Sequence, residues 1–301
     1  MNRDHKRLEG ILLVAAASVC YGLMPSVTQT AYKAGLSIET MLADRYMVAT
    51  TIIWLYLAIR KTNWRISRTQ LSFLFGVGIV YIGVAVFINL SYMYLPGAIT
   101  TILVFTYVSI VVLLELVTRR EKPNGIKLLC VGLSLTGLIL VIKGPGGGEL
   151  SLIGILFALA TGVCYAIYAF SLGGKITAKL DSMVMIGYIL IIPTIAYVIR
   201  CLSAGEPMLP ETRIQTLCVF FLAFFSTFLG SILFCKAIKI IGSGNASIVN
   251  TMEPVVAYFG GMLLMGDVLD YTAILGGILI LASIILLNLF GGGSERAIPE
   301  R

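Results

Sequence analysis

Apolar residues in this chain neither alternate with polar ones nor recur every three to four positions over a polar background. They fill whole stretches of about 20 residues, the length at which a helix crosses a bilayer, with polar punctuation between them. Ten such stretches are legible: 8–30, 37–59, 70–94, 97–118 and 127–142 in the first half, and 150–172, 184–202, 214–238, 243–264 and 271–290 in the second. The fifth is short, and Pro123 is placed to open it as a first-turn proline, adding residues at its start. The pattern predicts an all-α polytopic membrane protein of ten transmembrane helices, with almost nothing left for a soluble domain.

Composition agrees. Of 301 residues 58% are hydrophobic and 12% charged, against about 25% charged in ordinary soluble domains. Cationic residues then set the expected orientation. With a cytoplasmic N-terminus, 17 of the 22 Lys and Arg fall in inward segments, Lys127 among them, and four, Lys33, Lys143, Arg200 and Arg213, outside. By the positive-inside rule both termini are expected in the cytoplasm, most simply of a bacterial plasma membrane. The net charge of +7 reads as topology and contact with anionic lipid, so no nucleic-acid partner is implied.

The start "MNRDHKR" followed by "AAAS" has the look of an export signal, but the first span is echoed inside the chain. "GILLVAAASVCYG" at 10–22 and "GILFALATGVCYA" at 154–166 share seven of thirteen residues, ending in a common Val-Cys-Tyr. At an offset of 146, "TRREKP" after the fourth span matches "LMGDVL" after the ninth, setting Glu121 against Asp267. The expected organisation is a first five-helix repeat at 1–143, a glycine-rich linker at 144–149, a second repeat at 150–290 and a disordered tail at 291–301. A unit with five spans must lie upside down relative to its copy, and inverted repeats are the architecture of many gradient-driven transporters.

Several stretches resemble the drug/metabolite transporter superfamily, in particular its EamA-type ten-helix members. They are "LADRY" on the second span, "KAIKIIGSGNASIVNTMEPVVAYFGGMLLMGD" over the eighth and ninth, and "GGILILASIILL" in the tenth. The resemblance covers essentially the whole chain. It implies transport of small organic metabolites, including amino acids, often outward, through a central cavity lined by the first four helices of each half. The halves differ chemically. Tyr107-Val108 stands where the second half has Glu253-Pro254, Asp267 where the family more often has Glu, and Ile189 near the place equivalent to Arg45.

Charged groups at membrane depth cost at least about 2.5 kcal/mol on insertion scales, so each needs a reason. Glu253 lies about 14 Å into its helix and Arg45 about 12 Å into its own, near the midplane. Glu253 is a candidate for a substrate amine or for a coupling proton; the alternative is a fixed ion pair with Arg45. Asp44 and Arg45, being adjacent, point about 100° apart, and Arg45 is the better carboxylate ligand because its planar fork matches that group. Asn89, Asn250, Tyr21, Tyr81, Tyr92, Tyr107, Tyr165 and Tyr168 suit the wall of a cavity for an amphipathic molecule, although tyrosines near span ends also serve as interfacial anchors. Pro25, Pro193 and Pro254 are candidate hinges, Pro254 by removing a helix hydrogen bond beside Glu253. Glycines within spans, such as Gly137 and Gly276, fit close helix packing.

Neither a G-x-x-x-x-G-K-[ST] nor an H-E-x-x-H sequence is present. Six cysteines without close spacing and one histidine imply no disulfide and no metal site. No cofactor and no nucleotide-binding partner are expected. The sequence reads as a secondary transporter of small metabolites, not an enzyme, with amino acid export the leading expectation and proton coupling a further one resting on Glu253. A polytopic enzyme acting on a lipid is the alternative.

Overall fold

The computed structural model describes residues 3–94, 100, 103–118, 125–142, 151–265 and 271–290. Among them all regular structure is helical, and each of the ten predicted runs coincides with helix over its described part. In the first half, α1 (Arg3–Gly22) and α2 (Met24–Lys33) form the first span. Then come α3 (Ile38–Ile59), α4 (Arg68–Tyr94), α5 (Tyr107–Val117) in the fourth span, and α6 (Gly125–Ile142). In the second half, α7 (Leu152–Leu172) and α8 (Ser182–Ala204) precede a three-part eighth span: α9 (Arg213–Phe221), a π-helical segment (Leu222–Gly230) and α10 (Ser231–Ile241). The ninth span is α11 (Ser243–Asn250) plus α12 (Glu253–Met265), and the tenth is α13 (Tyr271–Phe290). Glu121, Pro123, Asp267, the 144–149 linker and the 291–301 tail lie outside the described residues.

The first, second, third, sixth, seventh and eighth spans are each long and apolar enough to cross a membrane by length and composition. Apolar side chains fill the core and also cover the exterior. Leu12, Leu55, Ile79, Leu156, Leu217 and Leu263 are exposed, whereas Ser18, Thr40, Asp44, Arg45, Glu115 and Asn250 are buried. So large an apolar exterior is tolerable only against lipid.

Helix starts are fixed by side chains that satisfy orphan amides. Ser37 Oγ accepts from Thr40 N at the head of α3, and Asp181 Oδ1 from Met183 N and Val184 N at the head of α8. Thr212 and Gln215 cap α9 reciprocally.

Packing between the halves obeys a simple exchange. The first span packs on the eighth and the sixth on the third; the second packs on the seventh, the fourth on the ninth and the fifth on the tenth. Replacing each span by its counterpart five later turns this set of contacts into itself, as a twofold axis between two inverted repeats requires. The fifth and tenth spans pack principally on each other. Gly137 makes their approach possible: a Cβ there would lie 2.7 Å from the Gly276 carbonyl oxygen and 2.9 Å from Ile280, and Ser134 and Ser283 hydrogen-bond nearby at 2.5 Å. Gly137→Ala should therefore destabilise the protein by about 1–3 kcal/mol through overpacking. Thermal unfolding in detergent reads this, and an unchanged midpoint would mean the seam is loose.

Candidate functional site

The fourth and ninth spans are interrupted at matching places. The turn Phe105-Thr106 precedes α5, and the turn Thr251-Met252, 146 positions later, precedes α12. Tyr107 and Glu253, each the first residue of its half-helix, are thus equivalent positions of the two repeats. Asn250 joins them. Its Nδ2 donates to Tyr107 Oη at 3.0 Å and to Glu253 Oε2 at 3.0 Å, and its Oδ1 accepts from Ser18 Oγ of the first span at 3.0 Å. Asn250 is wholly buried, so one amide ties together three spans around the place where the repeats meet.

Pro254 is the second residue of α12, and Pro25 occupies the first turn of α2 after a break at Leu23. At such positions the missing N–H belongs to an amide that lacks a helical partner in any case, so both prolines restart helices. Pro193 differs, lying within the unbroken α8.

A second pole forms around Arg45. Its guanidinium donates from Nε to Thr227 Oγ1 at 2.5 Å and from Nη2 to Ser226 Oγ at 3.3 Å, and lies 5.6 Å from the centre of the Tyr46 ring, within cation–π range. Ser226 and Thr227 belong to the π-helical segment, whose wide turns recur at functional places in helices.

Tyrosines connect the poles. Ring centres are 4.6 Å apart for Tyr107 and Tyr165, 5.8 Å for Tyr165 and Tyr168, 4.8 Å for Tyr168 and Tyr81, and 6.1 Å for Tyr81 and Tyr46. Tyr197 stacks on Tyr46 at 5.3 Å. Tyr21 meets Phe234 edge-on and donates a long hydrogen bond, 3.5 Å, to Ser231 Oγ. The arrangement offers a carboxylate and amide at one end, a guanidinium at the other and π faces between. The chemistry of these groups complements that of a small molecule carrying charge at both ends and an apolar body.

The residues singled out in the sequence fall into three groups. Glu253, Asn250, Tyr107, Tyr165, Tyr168, Tyr81 and Arg45 belong to this connected set, with Tyr21 at its side through Phe234. Asn89 does not join it, since its amide bonds back to the Ala85 carbonyl of its own helix. Asp44 is buried but makes no hydrogen bond to any of them. The side chain of Tyr92 is outside the described residues. The ion pair left open between Glu253 and Arg45 is not formed: Glu253 is bonded through Asn250, and Arg45 through Ser226 and Thr227.

Sequence reasoning missed Ser18, Tyr46, Tyr197, Ser226 and Thr227, whose letters are ordinary inside membrane helices. It missed Glu115 as well. Glu115, 3% exposed, lies near the end of the fourth span. Its Oε1 accepts from Ser243 Oγ at 2.5 Å and Gly244 N at 2.7 Å, and its Oε2 pairs with Lys127 Nζ at 3.3 Å. Lys127, counted among the loop cations that set orientation, is instead in α6 and only 6% exposed. It pairs with a buried carboxylate rather than facing lipid headgroups. A Cβ on Gly244 would press on Glu115 Oε2, so a side chain here would displace the carboxylate from its donors.

Broken helices meeting at the junction of two inverted repeats, with polar groups buried inside an apolar exterior, define a membrane transporter. The comparisons with known proteins agree. The model of the EamA-like transporter family matches residues 8–143 and again 152–289, and the chain belongs to that family. It is 24% identical to an "Uncharacterized transporter" of Archaeoglobus fulgidus, covering 81% of this chain and 86% of that one. It is 27% identical to an "Uncharacterized transporter" of Synechocystis sp., over 76% and 70%. Human "Solute carrier family 35 member G1" is 24% identical over 75% of this chain and 65% of its own length. A solved crystal structure superposes with a TM-score of 0.78 over 92% of this chain and 95% of the other; at 14% identity the likeness is one of fold.

Proposed function

We propose that the protein is a gradient-driven carrier exporting small zwitterionic metabolites, amino acids or close relatives, by alternating access. The observation that carries this reading is the Asn250 bridge between Tyr107 and Glu253, because it puts a carboxylate at the junction of the repeats, the place that stays central as the two units exchange conformations. Glu253 would receive the substrate's ammonium, Arg45 its carboxylate, and the intervening tyrosines its apolar part. Arg45 already has hydroxyl partners, which a carboxylate could displace with a stronger, charge-assisted pair. With both termini in the cytoplasm of a bacterial plasma membrane, as the cation distribution favours, the carrier would move its cargo outward.

Counterflow in proteoliposomes tests this. With a panel of radiolabelled amino acids, saturable uptake against preloaded unlabelled compound is expected for at least one member. For that compound Glu253→Gln should cut counterflow by about tenfold or more, a loss of roughly 1.4 kcal/mol in substrate interaction. Absence of counterflow across the whole panel would overturn the substrate class, and an unimpaired Glu253→Gln would remove Glu253 from the site.

A further inference from the structure

Among the described residues, Glu115, Glu253 and Asp44 are carboxylates within the spans, and they are treated differently. Glu115 has three donors and Glu253 has the Asn250 amide. Asp44, 2% exposed, has none on either oxygen. Charge does not compensate. Arg45 next to it is engaged by Thr227 and Ser226, and Arg200, the cation on α8, pairs with Glu39 at 3.5 Å. The other titratable groups on the elements packed against α3 include Tyr32 on α2, whose buried hydroxyl has no hydrogen-bond partner, Tyr81 on α4, which packs on Tyr46, Tyr188, Tyr197 and Cys201 on α8, and Arg213 and Cys218 on α9; the π-helical segment has none. Tyr188 donates to the Trp64 carbonyl, Cys201 lies against Thr40, Tyr197 is itself without a hydrogen-bond partner, and Arg213 is exposed.

We propose that Asp44 is the site at which the carrier takes up and releases a proton as it cycles. This rests on the transport reading above but assigns the coupling ion to a different residue from the one that holds substrate. An ionised carboxylate buried without donors costs several kcal/mol, a cost that the neutral acid does not bear. The conformation described is thus suited to a proton-loaded Asp44, and a conformation that admits water is suited to its release.

The Thr40–Pro207 contact marks where that water would enter. Asp44 lies about 9 Å below the start of α3. Thr40, one turn nearer that start on the same helix face, donates to the Pro207 carbonyl at 2.7 Å. The connection between α8 and α9 therefore closes over the aspartate, and parting Thr40 from Pro207 would open it to the adjoining aqueous phase. Because Asp44 adjoins Arg45 in sequence, a substrate that draws Arg45 off its hydroxyls turns the same helix segment that carries the acid. That shared segment supplies the coupling between cargo and proton.

The experiment compares wild type, Asp44→Asn and Asp44→Glu in proteoliposomes, using the amino acid that shows counterflow. Exchange does not require the proton to leave. Asp44→Asn should keep counterflow within about twofold of wild type yet lose accumulation driven by an imposed pH gradient by about tenfold or more, and Asp44→Glu should recover part of it. Accumulation by Asp44→Asn equal to wild type would overturn the proposal. Should no amino acid show counterflow, infrared difference spectra of the protein in lipid nanodiscs read the site without cargo. A carboxylic acid C=O band that changes with pH and shifts in D2O is expected in wild type and in Glu253→Gln, and absent from Asp44→Asn. A band unaffected by Asp44→Asn, or one lost instead with Glu253→Gln, would move the proton elsewhere.

Discussion

Asn250→Leu is expected to abolish counterflow and to lower the thermal midpoint of the purified protein substantially. The leucine fills the space but leaves Ser18 Oγ, Tyr107 Oη and Glu253 Oε2 without the partner that now serves all three. Hydrogen bonds between membrane helices average roughly 0.6 kcal/mol and reach about 1.7, so loss of three corresponds to about 2–5 kcal/mol. Asn250→Asp should be as harmful to transport for a different reason, since it brings a second carboxylate against Glu253. Counterflow together with thermal unfolding separates the two effects. If Asn250→Leu left both unchanged, the bridge would be incidental.

The other large effect is expected at the opposite end of the fourth span. Glu115→Ala strips Lys127 of its carboxylate and leaves Ser243 Oγ and Gly244 N without their acceptor, all of them buried. Breaking a buried pair on one side typically costs about 3–5 kcal/mol. The double variant Glu115→Ala with Lys127→Met should regain part of that loss, because it removes both members of the buried pair together. The double-mutant cycle checks this by comparing unfolding midpoints. Strict additivity would show that the two side chains are not coupled.

Much of this architecture could be read from the sequence because lipid imposes a severe filter. Runs of about 20 apolar residues have few alternatives to crossing helices, so the ten spans emerged from hydropathy alone. The equivalence of Tyr107 and Glu253 also followed from the 146-residue offset, and the paired breaks at 105–106 and 251–252 give it a structural basis. Arg45 and Glu253 stood out because charge at membrane depth is costly.

What escaped notice lacked such a signal. Glu115 lies a few residues from a span end, where a carboxylate ordinarily reaches water, and nothing in its own neighbourhood announces Ser243 or Gly244, which come from the other repeat. Lys127 was read as a loop cation for the same reason. Serines and threonines such as Ser18, Ser226 and Thr227 are frequent in membrane helices, so only their partners distinguish them. The alternative of a direct Glu253–Arg45 pair arose because sequence gave their depths but not their directions.

The π-helical stretch of the eighth span has a mechanical consequence. Thr227 Oγ1 bonds to the Leu222 carbonyl five positions back, and the wide turns there carry one residue more than an α-helical register would. Such a surplus can migrate along the rod: each one-residue step rotates the intervening backbone by about 100°. A single step would swing Ser226 and Thr227 off the Arg45 guanidinium together and offer it a different pair of side chains, with the rod neither lengthened nor melted. Such a step would act directly on the partners of Arg45.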